Sequence, residues 1–473
     1  MKFKFSFNIF KKIFLVAISS VLAITGTVVF YTTEYEKTTA AKATTYYEHD
    51  GQNVRIDMYS RVSLQEDDAP TFAVGETIIK AVNYKMQNLA DDTVEIKFAV
   101  YRYNYDTAVY YKPNTRNYGK MTKLSRDYTD DCERISYSMI RAALYGIKVD
   151  FGFHVDNKKT LPYFAKYMNL TCYHDSSKKV SDYLTVKQCT WPYEGGTRQM
   201  HSKQLLVSKY LDWDGTVYEN AVWSSTSNID EYVSFKDMPI SVKDWSHSGW
   251  LISNNRGLYK ANDYYFDAAF AHMDDRELFY EEVCELRDAG LLDYVDNKVE
   301  MYFTPRPHIY ADSWDVVNNP VARVFEKLKQ TKTGQIKVYL NLFYFTEGVT
   351  TKRMVDCIVE AFKNNQTEGN ELYIVYDDGV SSGDEMYKQV APYATEIRSF
   401  VKTHAKDYAV YFGETDEYLT VTGSVNGSEG ENFWKANQQI LFKENGDDHT
   451  VFDVIRDLCL RTVADKTEID KMG

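Results

Sequence analysis

Apolar residues recur along this chain in two rhythms. In "CERISYSMIRAALYG", Ile135, Met139, Ile140 and Ala143 recur at helical spacing, and in "TKRMVDCIVEAFKNN", Met354, Ile358, Val359 and Phe362 do the same. Side chains so spaced share one helix face, so both stretches predict amphipathic helices. "FAVGETIIKAVNYKMQNL", "NPVARVFEKLKQ" and "FDAAFAHMDDRELFYEEVCEL" carry the same signal, the last predicting a helix packed on the first half of the chain. Between them lie short runs rich in β-branched and aromatic residues: "VEIKFAVYRY" (Val94 to Tyr103), "IKVDFGFHV", "GQIKVYLNLFYF" (Gly334 to Phe345) and "ELYIVYDD". These predict buried strands. Strands alternating with amphipathic helices predict an α/β fold, sheet covered by helices.

The pattern occurs twice. "RIDMYSRV" (Arg55 to Val62) is answered by "KVEMYFTP" (Lys298 to Pro305), with Met58-Tyr59 matching Met301-Tyr302. Helix, strand, helix and strand follow in each half. Then comes a histidine two residues before a lysine: His201 and Lys203 in "QMHSKQLLV", His404 and Lys406 in "KTHAKDYAV". Each half closes this series with a small polar turn ending in asparagine, "WSSTSN" at Asn228 and "TGSVN" at Asn426. One His-x-Lys reads as a solvated strand edge. The same landmarks in the same order twice do not.

The 473 residues exceed what one core usually serves, which suits two lobes, and a net charge of −13 argues against nonspecific coating of nucleic acid. Lys2, Lys4, Lys11 and Lys12 precede Ile13 to Phe30, eighteen residues without a charge. This predicts a hydrophobic helix, an uncleaved membrane anchor or a cleaved signal peptide, with the main body exported. The expected boundaries are 1–43 for this segment and linker, 44–290 for the first repeat and 291–473 for the second. Cys172 and Cys189 flank a polar stretch and are positioned to staple a loop in an oxidising compartment; isolated buried thiols are the other reading, and the one given to Cys132, Cys284, Cys357 and Cys459. No Cys/His spacing supports a metal site, and no cofactor is expected.

Two histidines, two lysines and two asparagines suit chemistry on a phosphodiester. Lys203 and Lys406 neutralise non-bridging oxygens, while Asn228 and Asn426 donate hydrogen bonds to them. A neutral imidazole can attack phosphorus to give a phosphohistidine, and a second can protonate the leaving oxygen and then deprotonate the incoming water or alcohol.

The duplicated HxK…[GS]SxN arrangement resembles the phospholipase D superfamily, over essentially the whole body from about Val54. The resemblance implies two similar lobes, each a β-sheet flanked by helices, related by a pseudo-twofold axis around one metal-independent site. It implies His201 as nucleophile and His404 as acid/base, Lys203 and Lys406 as their partners, and Asn228, Asn426 and Ser424 as phosphate-binding residues. The chain departs from the family pattern HxKxxxxD, with Ser208 and Tyr411 where the aspartates would stand. Tyrosyl-DNA phosphodiesterases resemble the family without that aspartate. The downstream carboxylate that orients the opposing histidine is also missing, Asn437-Gln438-Gln439 standing there, with Asp230, Glu231, Glu429 or Glu431 as candidate substitutes. His154, His174, His247, His272, His308 and His449 lack repeat counterparts and read as surface or core residues.

The expected function is an exported, membrane-associated phosphodiesterase that hydrolyses or transfers phosphodiesters, phospholipid ahead of nucleic acid, attached through residues 13–30. The alternatives are an extracytoplasmic nuclease on the same site, or a silent surface protein that binds phosphorylated ligands.

Overall fold

The structure, a computed structural model, describes residues 42–62, 69–104, 130–155, 158–192, 199–230, 233–236, 238–242, 246–306, 314–346, 348–377, 384–399, 403–427 and 435–464. All of these belong to one compact unit, Thr39–Gly473. The apolar segment 13–30 lies outside the described residues, among which no helix is long and apolar enough to cross a membrane.

Two mixed sheets dominate. The first contains β1 (Ala43–His49), β2 (Gln52–Arg61), β3 (Glu95–Asn104), β4 (Lys148–Val155), β5 (Leu184–Gln188), β6 (Lys203–Leu211), β7 (Val217–Ser225) and β8 (His247–Ser253), in the order β1-β2-β8-β7-β6-β3-β4-β5. The second contains β9 (Tyr294–Val295), β10 (Val299–Thr304), β11 (Ile336–Leu342), β12 (Glu371–Tyr376), β13 (Glu396–Ser399), β14 (Lys406–Phe412), β15 (Glu417–Gly423) and β16 (Asn437–Asn445). Its order, β9-β10-β16-β15-β14-β11-β12-β13, is the first order with eight added to each label. In both, the last two pairings are parallel and the other five antiparallel. The registers match as well: Val100 opposes Lys203, and Leu342 opposes Lys406. Two further short pairings, of Ile229–Asp230 with the end of β3 and of Val233–Lys236 with Met238–Val242, have no counterpart among the described residues.

The helices repeat too. In the first lobe α1 (Ala69–Gln87), α2 (Asp130–Leu144) and α3 (Thr160–Ala165) fill the three connections from β2 to β5, followed after β8 by α4 (Arg256–Ala271) and α5 (Arg276–Asp288). In the second, α6 (Pro320–Gln330), α7 (Val349–Asn364) and α8 (Asp384–Val390) fill the same connections, and α9 (Thr450–Ala464) follows β16. Parallel neighbours require such crossovers. The helix predicted across "FDAAFAHMDDRELFYEEVCEL" is instead α4 and α5. Asp275 restarts it, its side chain accepting from Glu277 N and Leu278 N. The start of α6 is set by Asn319, which caps Val321 N and Ala322 N, with Pro320 in the first turn where its missing N–H is harmless.

Each sheet buries two faces. In the second lobe, Val321, Phe325 and Leu328 of α6 and Met354, Val355 and Ile358 of α7 pack on Val338, Leu340, Tyr408 and Leu441. Each such side chain contributes about 1.5–3 kcal/mol by leaving water. The inner faces share one core: Met58, Trp250 and Ile252 of the first sheet and Met301, Ile440 and Phe442 of the second close on Tyr265 and Phe266 of α4 and Phe452 and Ile455 of α9. The lobes therefore meet through a continuous apolar layer. Cys172 and Cys189 are free thiols and form no staple; Cys172 Sγ sits 3.5 Å from Ala143 O instead, and Cys189 is packed in the shared core.

Candidate active site

His201 and His404 stand just ahead of β6 and β14, the strands at the middle of each sheet. Alternation along extended backbone puts each histidine on the same side as the lysine two residues on. Lys203 Nζ lies 3.5 Å from His201 Nδ1 and Lys406 Nζ 3.1 Å from His404 Nδ1. Each ammonium donates to its own histidine's carbonyl, at 2.8 and 2.7 Å. An aromatic ring from the neighbouring strand backs each pair: Tyr101 against His201 and Lys203, Phe343 against His404 and Lys406. Tyr101 follows Val100 and Phe343 follows Leu342, so the two rings are register equivalents. Aligning the two strand runs would have found them.

The histidines are held from the opposite lobe. Met200 bridges to Ala436 and Thr403 to Ser246, and the His201 and His404 amides donate to Ala436 O and Ser246 O at 2.8 and 2.9 Å. This exchange places both His-x-Lys segments at the lobe boundary. It also accounts for the charge felt across it, since Lys406 acts on His201 and Lys203 on His404.

The symmetry breaks at the imidazoles. His404 Nδ1 donates to Thr226 O at 2.7 Å, and Lys406 Nζ donates to the same carbonyl at 3.1 Å. A carbonyl only accepts, so neutral His404 carries its proton on Nδ1 and not on Nε2. His201 Nδ1 instead meets Asn437 Oδ1 at 2.7 Å. Asn437 opposes Thr304 in register and His247 opposes Arg61, so the two occupy equivalent positions. The site sequence reasoning had marked as lacking a carboxylate thus holds His201 through an amide oxygen. His247, read there as unrelated to the repeat, is its counterpart and makes a minor contribution to the lowering of the His404 pKa. The substitutes Glu231, Glu429 and Glu431, and the side chain of Asp230, lie outside the described residues.

The asparagine turns are built by equivalent clamps. Ser424 exchanges backbone and hydroxyl bonds with Gln438 (Ser424 N to Gln438 O 2.9 Å, Gln438 N to Ser424 Oγ 3.0 Å). Thr226 does the same with Ser248 (2.9 and 3.1 Å). Ser424, expected on phosphate, also donates its hydroxyl to Gln438 O at 3.2 Å. Gly423 enters its turn at φ 135°, where a Cβ would come within 2.6 Å of Gln438 O. Asn228 and Asn426, both buried, end these turns two residues beyond the clamps. Asn228 is therefore two residues from the carbonyl that holds His404.

Burial pushes both imidazoles well below the usual histidine range, and the lysines push the same way. Both are neutral at pH 7. His154, whose Nδ1 accepts from Met200 N at 3.0 Å, is held down to about 4 by burial and is a structural histidine next to His201. Among the described residues no group of three or more His, Cys, Asp or Glu side chains is placed to hold a metal ion.

No protein-family model and no curated protein matches the chain. Solved structures similar to it include phosphatidylserine synthase from Haemophilus influenzae Rd KW20, 9% identical, covering 87% of each chain with a TM-score of 0.45. Another is polyphosphate kinase from Porphyromonas gingivalis, 12% identical with a TM-score of 0.40, covering 84% of this chain and 52% of that one. This chain thus spans about half the length of that kinase. A third is the yeast tyrosyl-DNA phosphodiesterase, 10% identical with a TM-score of 0.35, covering 82% of this chain and 89% of that one. The chain's own sheet order and its HxK…N segments are each doubled, with the two lobes inside one polypeptide.

Proposed function

We propose that this protein is a phospholipase D-type phosphodiesterase working through a phosphohistidine. The observation that carries the reading is the pair of His-x-Lys segments, each anchored on the opposite lobe, with the Nδ1 of each imidazole held on an oxygen. Nε2 of His201 attacks phosphorus as the P–O bond to the leaving group breaks, and that oxygen takes a proton from Nε2 of His404. Water or an alcohol then loses a proton to His404 Nε2 and forms the new P–O bond as the N–P bond breaks. Lys203, Lys406, Asn228 and Asn426 hold the non-bridging oxygens. Burial is the largest cause of His404's neutrality and the two lysine cations add to it. In this reading the phosphodiester's negative charge offsets those cations, and His404 takes up its second proton when substrate is bound.

The division of roles is supported by what lies behind each histidine. Behind His201 the equivalent positions are Ala99, Met200 and Ala436, all apolar and buried. Behind His404 they are Asn341, Thr403 and Ser246, joined by hydrogen bonds of 2.6 Å (Thr403 Oγ1 to Asn341 Oδ1) and 2.9 Å (Asn341 Nδ2 to Ser246 Oγ). A dry surround suits a neutral nucleophile, and oriented dipoles suit the residue that gains charge.

The Lys-flanked apolar stretch 13–30 supports an exported body attached at a membrane, and with it a phospholipid substrate. Asn437, an amide in place of a carboxylate behind His201, favours the second reading, a silent phosphoryl-binding protein. The deciding experiment offers a chromogenic phosphodiester, phosphatidyl vesicles and oligonucleotides to wild type and to His201→Ala. Turnover of vesicles lost in the variant supports the proposal. Turnover of oligonucleotides alone redirects it to a nuclease, and saturable binding without turnover to the silent reading.

A further inference from the structure

Directly after Lys406 comes a residue the motif does not require. Asp407 is fully buried, and its Oδ1 accepts from Thr422 Oγ1 of its own lobe at 2.6 Å and from Ser248 Oγ of the other lobe at 2.7 Å. Ser248 is also the residue clamped to Thr226, and Thr226 O is the acceptor for both His404 Nδ1 and Lys406 Nζ. His404, Lys406 and Asp407 thus grip two paired stretches of the first lobe, at Thr226 and at Ser246–Ser248. The equivalent of Asp407 in the first lobe is Gln204, since Asp407 opposes Asn341 as Gln204 opposes Ala99. Gln204 is equally buried, yet among the described residues neither its amide nitrogen nor its amide oxygen finds a hydrogen-bond partner. The carboxylate clamp therefore exists on the His404 side alone.

We propose that Asp407 is a positioning residue for His404: by holding Ser248 it fixes the Thr226 carbonyl, and that carbonyl keeps the His404 proton on Nδ1 and off Nε2. The inference rests on the proposed role of His404 in moving protons, and it supplies the orienting carboxylate at one remove. A carboxylate in direct contact would raise the basicity of the imidazole; this one acts through a hydroxyl and a backbone carbonyl, so it sets direction and tautomer. Burial raises its own pKa, Lys406 on the same strand opposes that, and the Cys459 thiol of α9 is the other titratable group facing it.

The test uses the full chain with ¹⁵N-labelled histidine, comparing wild type, Asp407→Ala and Ser248→Ala. Two variants are needed because Asp407→Ala can fail to fold, whereas Ser248→Ala cuts the same link and leaves the carboxylate bonded to Thr422. In wild type His404 should give the Nδ1–H tautomer. In either variant it should become a mixture while the His201 signals stay in place. Turnover of a substrate with a poor leaving group should fall roughly tenfold to a hundredfold, as for a displaced catalytic group, while attack on a p-nitrophenyl ester should be largely retained. An unchanged His404 tautomer in a folded variant would overturn the proposal, as would equal losses with both leaving groups. The tautomer is read without turnover, so a wild type without activity would refute the proposed reaction and leave this test standing.

Discussion

His201 Nδ1 and Asn437 Oδ1 face each other at 2.7 Å across the boundary between the two lobes. The proposed nucleophile of one repeat is thus oriented by a residue of the other, and the partner is an amide. An amide oxygen fixes the ring but adds no negative charge, so burial and the lysines keep His201 neutral. Replacing Asn437 by aspartate should raise the His201 pKa and move the acid limb of the pH–rate profile to higher pH. NMR titration of His201 in the variant checks this; an unmoved titration would mean the contact is not made in solution.

Both site histidines should remain neutral from pH 8 down past the usual histidine range, whereas free imidazole titrates near 6.5. The sign for stability follows. The unfolded chain takes up these protons below about pH 6.5 and the folded chain does not, so stability present above that pH is lost as the pH falls. His201→Gln and His404→Gln should each flatten the decline of unfolding free energy below pH 6.5, measured by denaturant titration. An unchanged acid slope in both would contradict the burial argument.

Asp407 should show the opposite sign. Burial pushes its carboxyl from 3.8 to about 6, about two units, so its ionised form costs about 3 kcal/mol at neutral pH. The folded state binds the extra proton between about pH 4 and 6. Stability from this group is therefore fully present below pH 4 and is lost as the pH rises through 6. Asp407→Asn should raise stability by about 1–3 kcal/mol at pH 8 and leave it unchanged near pH 4. Destabilisation at pH 8 would show that the charge is compensated in a way these contacts do not reveal.

The duplicated architecture was legible because each repeat carries its own helical and strand periodicity, and the two His-x-Lys pairs were legible because His201/Lys203 and His404/Lys406 are local patterns. Asn437 stands in the stretch where the resemblance placed the orienting residue, but Thr226 and Asp407 were not legible in their roles. Each acts through a contact to the other lobe, and nothing in the local sequence reveals which carbonyl or amide will face an imidazole some two hundred residues away. Tyr101 and Phe343 could have been found, since they occupy matching places in two strands already aligned. Cys172 and Cys189 misled because cysteines around a polar stretch suit both a disulfide and a buried thiol, and burial decided it. The break between α4 and α5 was hidden because apolar spacing continues through Asp275, which caps rather than packs.

In the proposed reaction Lys203 and Lys406, both buried beside the imidazoles, supply the positive charge that a metal would otherwise bring to the phosphoryl oxygens. Hydrolysis of a chromogenic phosphodiester should survive EDTA. Replacing either lysine by methionine should lower turnover by about 10²-fold or more, the scale of losing one preorganised stabiliser of transition-state charge. Collapse under chelator with recovery on added Mg²⁺ or Zn²⁺ would assign the chemistry to a metal instead.

The most direct test asks which histidine makes a bond to phosphorus. With a phosphodiester whose leaving group needs no proton, His404→Ala should still attack and should accumulate a phosphoryl adduct, because the base for the second step is gone. Mass spectrometry of the quenched reaction should locate that adduct on His201, and His201→Ala should yield neither adduct nor turnover. An adduct on His404 in the His201→Ala variant would reverse the two roles. The absence of any adduct or turnover in wild type and both variants, with lipid and nucleic-acid substrates alike, would contradict the account.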